Sequence, residues 1–242
     1  MTNWGRLLTA IVTPYDGNGD VDYKKAATLA QRRGTGRARL TSGPILLLSS
    51  REDHIRDRAL RMAAALRRGR AAVRYLPTGR IDRSTLLAAL AIGPGLVIYT
   101  GEGDARGWRG YGRIQAWELD QPRAEPLGAL ISLSCSGSAR LGSLHGLCES
   151  IVAHGGAASA LGAVGPVRSD DDDRLGELLA GRLAAGATSL AEALDQPVPE
   201  LEPFRISGDP LAPFIGARGA RAALRRIDAP AAGEPLRPVE WG

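Results

Sequence analysis

Six short apolar runs, spread from Pro44 to Ile206, constrain the fold more than anything else in the chain. They are Pro44–Ser49 (PILLLS), Ala71–Leu76 (AAVRYL), Gly95–Thr100 (GLVIYT), Leu127–Ser134 (LGALISLS), Ala158–Val164 (ASALGAV) and Phe204–Ile206. Each is strand-length, and apolar residues follow one another with little alternation, as in strands buried on both faces. Helical patterns lie between them: Ile55–Arg68, Arg83–Ala91, Leu144–His154 ending at Gly155-Gly156, and Asp170–Ala185. Strands alternating with helices predict an α/β fold, a mostly parallel sheet flanked by helices on both faces. In such a sheet the functional crevice lies outside the carboxyl ends of the strands.

The 242 residues, 44% of them hydrophobic, are enough for one sizeable core. The main domain is expected over 41–228, after an N-terminal extension (1–40) with a β-turn-α pattern and a linker, and before a loose Pro/Gly-rich tail (229–242). No apolar run reaches the roughly 18 residues of a membrane span, and the opening MTNWGRLLTAIVTPYDGNGD has no secretory pattern, so a cytoplasmic location is expected. The net charge is +5, but only Lys24 and Lys25 are lysines, and the arginines are scattered without interleaved aromatics. That pattern predicts a solvated basic surface and argues against nucleic-acid binding. Two cysteines, Cys135 and Cys148, make no disulfide framework in a chain this long. The turn Asp16–Asp20 superficially matches a calcium loop. Val21 stands where the sharp-turn glycine belongs and Ala27 where the bidentate acid belongs, so no metal is expected.

Two strand ends carry residues with chemistry. The third run ends in Gly101-Glu102-Gly103, and the fourth in Ser134-Cys135-Ser136-Gly137-Ser138. If these strands are neighbours, Glu102 and Cys135 face one crevice. Backbone N–H groups at Gly101 and Gly103 could line an oxyanion hole, or the glycines could simply allow a tight turn. Asp170 and Asp171 could receive a basic substrate side chain, or could answer the positive end of a helix dipole. Of His54, His145 and His154, His54 emerges after the first strand and is the candidate substitute base. Cys148, at helical spacing with Leu144 and Ile151, reads as core.

The series VIYTGEGDARGW, GALISLSCSGSAR, IVAHGGAASALGAVGP and FRISGDPLAP resembles the gingipain-type cysteine peptidases and the related CHAT domains of the caspase-like clan, over about residues 43–215. The resemblance implies a caspase-like fold, a His–Cys dyad, a peptide or protein substrate or partner, and no cofactor. By position Cys135 matches the nucleophile, and Glu102 takes the place of the histidine. An imidazolium stabilises a thiolate and protonates the leaving amine; an ionised carboxylate instead disfavours a second negative charge nearby. The resemblance thus implies a divergent homologue, impaired in hydrolysis or using an unconventional base, or a non-catalytic peptide-binding scaffold. Residues 4–30 (WGRLLTAIVTPYDGNGDVDYKKAATLA) resemble the opening of dihydrodipicolinate synthase-type aldolases. The family's Gly-Thr-Thr-Gly-Glu motif is absent and no lysine follows Lys25, so aldolase chemistry is not expected.

Overall fold

The structure, a computed structural model, describes residues 43–119, 125–140, 142, 145–195 and 198–227. The N-terminal extension, with its aldolase-like stretch, and the C-terminal tail lie outside the described residues. The chain runs β1 (Ile45–Ser49), α1 (Asp53–Arg68), β2 (Val73–Pro77), α2 (Arg83–Ala91) and β3 (Leu96–Thr100). Three two-residue strands follow, β4 (Gly103–Asp104), β5 (Gly107–Trp108) and β6 (Ile114–Gln115), then the short helix α3 (Ala116–Leu119). The second half is β7 (Leu127–Leu133), α4 (Leu147–Ala153), β8 (Ala157–Ala163), α5 (Ser169–Ala184), α6 (Leu190–Ala193), β9 (Phe204–Gly208) and α7 (Ala220–Arg225).

The main sheet has the order β2-β1-β3-β7-β8-β9. Its first five strands are parallel, and β9 closes one edge antiparallel to β8. Every residue of β1, β3 and β7 is buried, the reason their sequences lack a polar alternation. Successive side chains divide between two cores. Leu46, Leu48, Val97 and Tyr99 meet α2 and α4 through Leu86, Leu90, Leu147 and Ile151. Leu47 and Ile98 meet α1 and α5 through Met62, Leu66, Leu175 and Leu179. The start of α2 is set by Asp82, whose carboxylate accepts the Thr85 N–H at 2.7 Å.

At the amino ends of the strands the backbone closes on itself without side chains. A Cβ on Gly95 would lie 2.5 Å from the Phe214 carbonyl oxygen and 2.6 Å from the Gly43 Cα. Both are backbone atoms with little room to yield. Gly95→Ala is therefore expected to cost about 1–3 kcal/mol or more, as overpacking does, read as a fall in the urea unfolding midpoint at unchanged slope.

Candidate active site at the carboxyl edge of the sheet

The third and fourth long strands are neighbours. β3 and β7 run in parallel register with Thr100 opposite Leu133, and the Gly101 N–H donates to the Leu133 carbonyl at 3.1 Å. Glu102 and Cys135 therefore leave adjacent strands at the same edge, each two residues past the paired positions. The two glycines beside Glu102 have a steric cause. A Cβ on Gly101 would lie 2.5 Å from the Tyr99 hydroxyl, and one on Gly103 would lie 2.7 Å from Ser134 Oγ. The Glu102 carbonyl is fixed from two sides, by the Tyr99 hydroxyl at 2.7 Å and the Arg109 N–H at 3.0 Å.

The Glu102 side chain points into solvent, 54% exposed, with Oε2 3.5 Å from Arg109 Nη1. Arg109 and Arg113 also reach Asp104, at 3.7 and 3.1 Å. The loop that follows buries its tryptophan. Trp108 is fully buried and stacks on Tyr99 with ring centroids 4.4 Å apart. Its indole N–H donates to Ser132 Oγ at 2.9 Å, which shares a 2.8 Å hydrogen bond with Ser134 Oγ. Tyr111 enters behind it at φ +57°. Its hydroxyl donates to the Leu76 carbonyl and accepts the Ser49 N–H, so the loop seals the ends of β1 and β2. Burial pushes that phenol well above its usual range.

Cys135 is half-buried. Its Sγ accepts the Val167 N–H at 3.5 Å and lies 3.8 Å from the Val167 carbonyl. The turn beyond it is tight: Ser136 sits at φ +59°, and its N–H donates to the Gly165 carbonyl at 2.9 Å. Among the described residues no polar contact joins Glu102 to Cys135. The acid turns toward Arg109 and the thiol toward Val167.

The other candidates divide. The Gly101 N–H is already donated to Leu133, and Gly103 pairs with Trp108 across β4 and β5. His54 is exposed in the first turn of α1, after β1, which lies on the far side of β3 from β7. His145 binds Glu149 at 3.0 Å, and His154 is the C-cap of α4. Cys148 is fully buried, and burial pushes its thiol up to about 12. Asp170 is exposed and Asp171 half-buried in the first turn of α5, at the same edge as Cys135.

Sequence reasoning missed two groups, Glu52 and Arg58. Glu52, just past β1, accepts the Ser50 hydroxyl and adds a half-buried carboxylate to the rim. Asp172 and Asp173 turn inward to a buried arginine, Arg58. A signal for Arg58 was present: it falls on the apolar stripe of α1 formed by Ile55, Ala59, Met62 and Leu66.

A mostly parallel sheet flanked by helices is the fold this chain shares with solved caspase-like cysteine peptidases. Gingipain R, an Arg-specific cysteine proteinase, superposes with a TM-score of 0.64 at 14% identity, over 80% of this chain and 54% of that one. The complex of pro- and mature domains of RgpB from Porphyromonas gingivalis gives 0.60 at 12% identity, over 76% and 52%. The separase–securin complex of Saccharomyces cerevisiae gives 0.55 at 17% identity, over 77% and 13%. The chain spans about half the length of the gingipain chains it matches. No family model matches, and no curated protein matches. At these identities the likeness is one of fold.

The steric reading of the strand tip separates the glycines from the acid between them. Gly103→Ala is expected to cost about 1–3 kcal/mol by displacing Ser134. Glu102→Ala, at an exposed side chain, should stay within about 0.5 kcal/mol of the parent. Urea unfolding of the two variants side by side checks the contrast.

Proposed function

We propose that this protein is a divergent cysteine-peptidase-like hydrolase in which Cys135 is the reactive group and Glu102 holds the place of the dyad histidine. The observation that carries the reading is the departure of both residues from adjacent parallel strands, β3 and β7, at one edge. The fold likeness to gingipain R and separase supports it. A thiolate needs a cation nearby, and Glu102 supplies the opposite charge. Arg109 offsets that charge from the solvent side, but a guanidinium does not serve as the general acid that an imidazolium would be. Hydrolysis of peptide bonds is accordingly slow, for want of a general acid. Asp170 and Asp171, with Glu52, make the rim acidic and favour a substrate with a basic side chain, in keeping with the arginine specificity named for gingipain R.

One observation favours a second reading, a non-catalytic peptide-binding scaffold using the same crevice. The thiol is covered by Val167, with no imidazole in contact among the described residues.

Restoring the missing group decides between the two. Glu102→His is expected to raise hydrolysis of arginine-containing peptides by about 10²–10⁴-fold, the usual worth of a positioned acid–base group. Cys135→Ser in that background should abolish the gain. Absence of any turnover in Glu102→His, with the variant folded, would leave the scaffold reading.

A further inference from the structure

Beneath the rim lies a buried cluster of charge. Arg58 of α1 is only 2% exposed. Its Nε pairs with Asp173. One terminal nitrogen donates to Thr100 Oγ1 at 3.1 Å, and the other reaches the Ser169 carbonyl at 3.0 Å and Oγ at 3.2 Å. A single guanidinium thus joins α1, the end of β3 and the first turn of α5. Asp172, 7% exposed, is less well served. Its Oδ2 lies 3.7 Å from Arg58 Nη1, and its Oδ1 is buried with no hydrogen-bond partner among the described residues.

The charged groups around Asp172 are Arg58 from α1 and Asp171 and Asp173 from α5. Arg61 of α1 goes to Asp173 and Glu177 instead, and β3 contributes the uncharged Thr100. One nearby cation faces several carboxylates, and the buried oxygen is shielded from bulk solvent. Burial raises Asp172 from 3.8 to about 6; Arg58 opposes the shift, and Asp173 and Asp171 add to it.

Ser169, gripped by Arg58, lies two residues beyond Val167, whose backbone covers the Cys135 thiol. We propose that Asp172 gates Cys135: its ionisation loosens the first turn of α5 and withdraws Val167 from the thiol, and its protonation keeps Val167 seated. The sign follows from linkage. A carboxyl raised in the closed state stabilises that state when protonated. This stability is full below about 3.8 and is lost as pH rises through about 6. The same shift sets a ceiling of about a hundredfold on how far ionisation can favour opening. The consequence for activity rests on Cys135 as the reactive group, but access to the thiol is read without turnover.

The test is the rate of iodoacetamide modification of Cys135, followed by peptide mapping, in the full chain and its Asp172→Asn variant. Ionisation of the thiol itself cancels in the ratio of the two rates. The ratio of parent to variant should rise about tenfold between about pH 5 and about pH 7.5 and level off above about 6. A flat ratio overturns the gate. So does a ratio below one, the result of simple repulsion between Asp172 and the thiolate. Should Asp172→Asn fail to fold, amide exchange in the parent serves. Between the same two pH values, and after correction for intrinsic exchange, protection at 167–172 should fall about tenfold more than in β7. Equal changes overturn the proposal. Peptide turnover with no gate would leave the peptidase-like reading standing; a gate with no turnover would leave the gate standing.

Discussion

The hydrogen bond from the Gly101 N–H to the Leu133 carbonyl is the last rung between β3 and β7, and the candidate site hangs from it. Beyond this rung each chain turns away, one into Gly-Glu-Gly and the other into Ser-Cys-Ser. Parallel pairing brings the two loops together because both strands end at the same edge. The approach is close enough that position 103 has no space for a methyl group against Ser134. The acid between the glycines is free to face solvent, since its backbone alone is held.

Two unlike cores support that edge. On one side Tyr99, Trp108 and Tyr111 pack as a buried aromatic group whose polar tips are all satisfied, by Glu102, Ser132 and Leu76. On the other side the core contains Arg58. An apolar residue of similar size would serve stability as well or better, given the cost of removing two or more charges from water. The arginine instead supplies directional bonds to Thr100 and Ser169 that hydrocarbon contacts could not make. It ties the loop over the thiol to the strand that carries the acid.

Much of the fold was legible. The six apolar runs all became strands, within a residue or two at their ends, and Arg83–Ala91 was read at its observed limits. The sequence placed Glu102 and Cys135 at carboxyl ends of strands, but the adjacency of β3 and β7 was a condition that the sheet order met. The excursion between them was not legible. Gly103–Gln115 forms three strands of two residues each, too short for any periodicity to register. The burial of Trp108 was not legible because polar and glycine neighbours surround it, whereas its partners, Tyr99 and Ser132, lie outside the loop. The aspartate run was legible as a helix start, but not the division within it. Asp170 faces water and Asp172 faces Arg58 because helical rotation turns successive residues to different sides.

The sequence by itself determined the strands, the helices and their alternation, because burial on both faces writes itself as unbroken apolar runs. It also determined which residue types stand at the two strand ends, a thiol and an acid where the resemblance implies a thiol and an imidazole. Only the tertiary structure decided where those side chains turn: Glu102 to Arg109, Cys135 to Val167, Arg58 into the core. Such choices depend on partners scores of residues away for Arg58, beyond a helix and a strand for Cys135, and across a loop for Glu102. No local pattern encodes a contact whose two halves meet only after the sheet has closed.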